Sequence, residues 1–231
     1  MELLFGGLAE AIRLLFTGDL LTWHALGVSL ICTLVATFIA ATFAIPYGAW
    51  LGLFCPRARI QIVLLRVAMS IPTVLIGLFT YALFTRRGVF GDVGLLYTQG
   101  AIIFGETLLA FPLIAALVHG VTASLNRIVA ESALTLGASR MQALRVALQE
   151  CRPGIVGALL AAFGRCLTEL GIVMTVGGNI ALSTRTLTST IQLEVSRGDF
   201  ERALAAGIIL LGLALITTVV AHLVAERTET R

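Results

Sequence analysis

Five stretches of this 231-residue chain are apolar for about the twenty residues that a helix needs to cross a bilayer, and little chain is left between them. They run roughly from Trp23 to Phe54, Ile60 to Phe84, Ala101 to Leu125, Ile155 to Ile180 and Ala203 to Val224. The chain therefore reads as an all-α membrane protein with about five transmembrane helices in one transmembrane domain, 1–231. Only 13% of its residues are charged, against roughly a quarter in a soluble domain. Pro46, Pro72 and Pro112 fall inside three of the runs. Neighbouring helices can satisfy the backbone groups that a proline frees, so these positions predict kinks in a packed bundle.

Ahead of the first run, Leu4, Leu8, Ile12, Leu15 and Phe16 recur at helical spacing with Glu2, Glu10 and Arg13 among them. This pattern predicts an amphipathic interfacial helix within residues 1–19, ended by the turn formers Gly18 and Asp19. No basic segment precedes its apolar residues, so it does not read as a signal peptide.

All sixteen basic residues are arginine. Without a lysine the chain cannot supply the phosphate-binding lysine of a P-loop, nor Schiff-base or Ser–Lys chemistry. Any ATP hydrolysis must come from a partner. Cys32, Cys55, Cys151 and Cys166 show no paired spacing and read as small buried hydrophobes. His24, His119 and His222 are scattered near span ends, so neither a metal site nor a catalytic constellation is expected. The net charge of +3 is spread along the chain and points to no nucleic acid.

Four connections matter. Arg57 and Arg59 mark a short first loop, residues 86–99 a Gly-rich second, residues 126–153 a long polar third, and residues 181–202 a Ser/Thr-rich fourth. Placing the third loop and the C-terminus in the cytoplasm puts arginines 57, 59, 127, 140, 145, 152, 227 and 231 inside and six others outside. That mild bias follows the positive-inside rule and leaves the N-terminus outside.

In the third loop Leu134, Ala138, Met141, Leu144 and Leu148 form an apolar stripe, with Gly137 at a point suited to a sharp bend. By pattern alone this is either a docking hairpin or a helix resting on the membrane. Its residues Glu131-Ser132-Ala133, followed after three positions by Gly137-Ala138-Ser139-Arg140, resemble the EAA-type coupling motif of ABC importer permeases. Ser132 stands where that motif has a second alanine, and its later Leu-Pro is absent. The resemblance implies an ABC type I importer permease-like fold in the inner membrane of a prokaryotic cell. It makes 126–153 a cytoplasmic coupling loop for an ATP-binding subunit, with Glu131 and Ala133 shaping its start and Gly137 its turn. It also implies two ATP-binding subunits, which carry ATP and Mg while this chain holds no cofactor. A second copy of this chain and an extracytoplasmic substrate-binding protein complete the assembly. Glu169 to Ile180, Thr184 to Thr188 and Arg197 to Phe200 resemble the tungstate-importing branch, close to the molybdate permeases.

Glu106, Arg165 and Glu169 stand out as ionisable residues inside spans, where each needs a partner or a function. Arg165 and Glu169 are four apart and can pair, or can line a passage together with Thr168. Gly177-Gly178-Asn179 reads either as a helix end or as an anion-holding nest. The hydroxyls of Ser183, Thr184, Thr186, Thr188, Ser189 and Thr190 can solvate an oxyanion or cap a helix. The competing classes are a permease for molybdate or sulfate, a stand-alone secondary transporter, and an intramembrane enzyme whose constellation is missing.

Overall fold

A computed structural model describes residues 2–17, 19–55, 57–125 and 132–229, and its regular elements there are all helical. They are α1 (Glu2–Phe16), α2 (Leu20–Phe54), α3 (Arg59–Met69), α4 (Thr73–Phe84), α5 (Gln99–Leu125), α6 (Arg140–Glu150), α7 (Arg152–Leu167), α8 (Leu187–Arg197) and α9 (Phe200–Glu229). Contacts group the chain into two compact units. One comprises residues 1–36, 72–106 and 164–217, the other residues 37–71, 107–163 and 218–231.

Three helices are long and apolar enough to cross a bilayer alone: α2, α5 over Gln99–Ala123 and α9 over Phe200–Val219. Two bent pairs, α3 with α4 and α6 with α7, raise the number to as many as five. α1 forms where expected and turns Phe5, Leu8, Ile12 and Phe16 outward as an apolar stripe while Ala11 is buried. Asp19 does more than end α1. Its carboxylate accepts from the Thr22 amide at 2.8 Å and the Thr22 hydroxyl at 2.6 Å, and so caps the start of α2.

α2 carries a small residue at every fourth position from Cys32 through Ala36, Ala40, Ala44 and Gly48 to Gly52. The first four are fully buried. Lipid tails supply no hydrophobic force between helices, so close backbone approach through such stripes is what packs them. At the lower end the partner is α5. A Cβ on Gly48 would strike the Ala115 carbonyl oxygen, and one on Gly52 would strike the Thr122 hydroxyl and lie 3.1 Å from the Ala123 nitrogen.

Two expected spans are broken. Residues 60–84 divide at Ser70 to Pro72 into helices of 11 and 12 residues, each too short to cross alone. Pro72 cannot continue the ladder from α3, and its extended backbone (ψ 131°) starts α4 afresh. The fourth span was expected to run from about 155 to 180, but α7 stops at Leu167. A wide helical turn over Val173–Gly177 follows after the break at Thr168 to Leu170. The fourth loop, in turn, contains α8. Thr186 and Ser189 form a reciprocal capping box at its start, so these hydroxyls begin a helix.

Gly48→Leu should cost about 1–3 kcal/mol through overpacking against the α5 backbone. Thermal unfolding in detergent should show a melting point several degrees lower, whereas Gly27→Leu, with open space at its Cβ, should melt like the parent.

Candidate functional site

The first candidate site is the turn ahead of α6. Residues 132–135 are helical, and Gly137 closes that turn in the left-handed region at φ 89°, where a side chain is strained. The Ala138 amide donates to the Ala133 carbonyl at 3.0 Å and the Gly137 amide to the Leu134 carbonyl at 3.0 Å, a Schellman closure. Ser139 then caps α6. Its hydroxyl accepts from the Gln142 amide at 3.3 Å, and the Gln142 side-chain oxygen accepts from the Ser139 amide at 2.8 Å. Arg140 stacks over the Phe54 ring, 6.0 Å from its centroid, and ties the turn to the end of α2.

The apolar stripe of this loop divides between two surfaces. Leu144 faces inward with Ala143 and Ala147, Ala138 and Leu148 are half-buried, and Leu134 and Met141 are exposed, as is Leu136, outside the stripe, to 88%. The turn is thus capped on both sides and carries an exposed apolar tip. Ser132, Ala133, Gly137, Ala138, Ser139 and Arg140 are thus brought together. Glu131 lies outside the described residues.

The second candidate site lies at the end of α7. Arg165 Nη1 donates to Glu169 Oε2 at 2.8 Å, with the Glu169 side chain 2% exposed and that of Arg165 44%. Glu169 also reseals the helix break. Its Oε1 accepts from the Ile172 amide at 3.3 Å, and its carbonyl accepts from the Thr188 hydroxyl at 3.0 Å. Thr188 in turn bonds Thr186 at 2.8 Å, and the Leu187 amide donates to the Ser29 hydroxyl of α2 at 2.9 Å. Arg165, Glu169 and Thr188 therefore form one connected group between α7 and α8. Thr168 stands apart, exposed, and its hydroxyl bonds back to the Gly164 carbonyl at 3.1 Å.

Gly177, Gly178 and Asn179 form an internally bonded turn beyond this group. Gly178 and Asn179 take left-handed conformations at φ 68° and 51°. The Thr184 hydroxyl donates to the Gly177 carbonyl at 2.5 Å and accepts from the Ile180 amide at 3.1 Å. Arg185 grips Asn179 twice, Nε to its side-chain oxygen at 3.1 Å and Nη2 to its carbonyl at 3.2 Å. The Tyr97 ring covers Gly178 closely enough that a Cβ there would lie 2.8 Å from it.

Glu106 is buried on α5, where the Thr33 hydroxyl bonds it and the charge of Glu169 reaches it. Its Oε2 has no partner among the described residues. One ionisable residue inside a predicted span escaped the reading from sequence: Arg66, exposed on α3. Its place in the 60–84 apolar run was the available signal.

With this geometry in place, comparison with known proteins gives the class. The chain matches the family described as binding-protein-dependent transport system inner membrane component over residues 44–230. A chain of the MetNI methionine ABC transporter shares the fold with a TM-score of 0.76 at 21% identity, over 91% of this chain and 97% of that one. The fold is that of an ABC type I importer permease, and the chain belongs to the binding-protein-dependent transport system inner membrane component family.

Within that family it resembles the tungstate uptake system permease protein TupB of Peptoclostridium acidaminophilum, with 32% identity over 98% of this chain and 100% of the relative. The protein of the same name from Campylobacter jejuni is 31% identical over 96% of this chain and 93% of its own length. Permeases named for sulfate transport in Salmonella typhimurium and molybdenum transport in Escherichia coli match at 29% and 25% identity. The chain is thus a multi-pass inner-membrane transport subunit, and the stand-alone transporter and enzyme readings fall away.

Arg165→Leu leaves the buried Glu169 carboxylate unpaired. Because the arginine is partly exposed, the loss should fall between that of a surface pair and the 3–5 kcal/mol of a fully buried one. A double-mutant cycle with Glu169→Leu, read by thermal unfolding, should show the double variant recovering part of that loss. Additive losses would mean that the two side chains do not act together.

Proposed function

We propose that this chain imports tungstate as the membrane-spanning subunit of an ATP-driven transporter. Two copies enclose one passage, two ATP-binding subunits carry ATP and Mg, and an extracytoplasmic binding protein delivers the anion. The N-terminus lies outside, the C-terminus and residues 126–153 in the cytoplasm, and the single transmembrane domain 1–231 performs no covalent chemistry.

The observation that carries the coupling role is the Gly137 turn. It presents exposed Leu136 and Met141 on a frame held by the Ser139–Gln142 box and by Arg140 on Phe54. Closure of the ATP-binding subunits moves this turn as a rigid body. α6 bends by 73° into α7, and α7 ends at the Arg165–Glu169 pair, which positions the gating segment that follows. Arg165, Thr168, Glu169, Gly177, Gly178, Asn179 and Thr188 border the path or its gate. Tight cargo binding is left to the external protein, because a permease must let its cargo leave. Full-length similarity to two permeases named for tungstate uptake supports tungstate over molybdate or sulfate.

Gly137→Trp should abolish co-purification of the ATP-binding subunit from detergent extracts, since a bulky residue strains the left-handed turn and alters the tip. Retention of that subunit would remove the docking role. In cells lacking this gene, elemental analysis at nanomolar supply should show a selective fall in tungsten. An equal fall in molybdenum would widen the substrate to both oxyanions, and no change in either metal would end the assignment.

A further inference from the structure

Arg66 is a charge that the coupling turn and the α7 group leave unused. It lies seven residues into α3 from Arg59, about 10 Å along the axis, within the apolar run of the second span. The residue is exposed, and no carboxylate pairs with it among the described residues. The ionisable group that feels its charge is His119 of α5, a base and no counter-ion. Arginines inside spans are costly and face protein or a water-filled cavity rather than lipid.

The rest of α3 shows which of these Arg66 meets. At 100° per residue, Arg59, Arg66 and Ser70 fall within one narrow sector, and all three are exposed. About a quarter turn away lie Ile60, Leu64, Val67 and Ile71, also exposed, with Ile60 at 74%. α3 therefore has a broad apolar face suited to lipid and a narrow polar strip suited to water, with exposed Val63 and Met69 at the margins of that strip. The polar face ends at the Ser70 break, where the Ser70 hydroxyl is occupied by the Arg66 carbonyl at 3.2 Å.

We infer that Arg66 lines the aqueous passage and makes a transient contact with the oxyanion in transit, with Arg59 on the same strip at the start of α3. This rests on the oxyanion-import reading and assigns it a residue. A guanidinium presents parallel N–H donors that match two oxygens of a tetrahedral anion. One exposed cation without a surrounding cage attracts such an anion and still releases it, as passage requires.

The test uses the whole transporter with its ATP-binding subunits and binding protein in lipid vesicles, with tungstate uptake read by elemental analysis. Arg66→Gln should slow uptake by about tenfold, the loss of one charge-assisted contact, and Arg66→Lys should retain part of it. In a Cys55→Ser background, Arg66→Cys should regain uptake after reaction with a cationic aminoethyl thiosulfonate and not with its neutral methyl counterpart. A merely structural role would not distinguish these two reagents. Wild-type uptake by Arg66→Gln, as expected of an arginine that snorkels to lipid headgroups, would overturn this inference alone. Equal rescue by both reagents would overturn it too. Wild-type vesicles that accumulate no oxyanion would overturn the import reading and this inference with it.

Discussion

Hydrocarbon offers no hydrogen bonds, so every break in a membrane helix must be resealed by the protein itself. The fold depends on how that is done at two places. At Ser70 to Pro72 the proline supplies no amide, and the Leu75 amide returns to the Pro72 carbonyl at 2.9 Å. At Thr168 to Leu170 the side chain and carbonyl of Glu169 take up the Ile172 amide and the Thr188 hydroxyl. The acid that seals this break is itself held by Arg165. An ion pair, a helix cap and a tie to α8 are therefore one structure, which is why the ionisable residues cluster where the chain is irregular.

Packing follows a second economy. The fourfold spacing of small residues along α2 lets the α5 backbone approach until the Ala115 carbonyl lies where a Cβ on Gly48 would sit. Bulky apolar side chains such as Phe38 and Phe43 then point outward, where lipid takes them. Such a division leaves few polar side chains inside: the Thr33 hydroxyl bonds Glu106, and the Thr80 and Thr122 hydroxyls bond back to the Ile76 and Val118 carbonyls of their own helices.

Much of this was legible in the residues and some was not. α2, α5 and α9 lie within a few residues of the runs that hydropathy marks, because a helix that bonds its own backbone throughout is what lipid-facing segments require. The fourth span misleads because Gly171 to Val176 is apolar enough to continue α7, while the break is decided by bonds to Thr188, nineteen positions from Glu169. α8 hides in a Ser/Thr-rich stretch whose composition reads as loop, although Thr186 and Ser189 stand at capping-box spacing. The Arg165–Glu169 pair was visible from its spacing of four, and Gly137 from its place in the coupling motif. The dual face of α3 needed exposure as well as sequence, since Arg66 on its own looks like one charge within a greasy helix.

The tip at Leu136 has a further meaning for the life of the subunit. A leucine 88% exposed beside an exposed methionine is an adhesive patch when nothing covers it. A copy made in excess of its partners carries that patch bare, in the form that chaperones and proteases recognise. Under the proposed docking role, the surface that joins the subunit to its motor also reports whether it has found one, and links the survival of each copy to the stoichiometry of assembly.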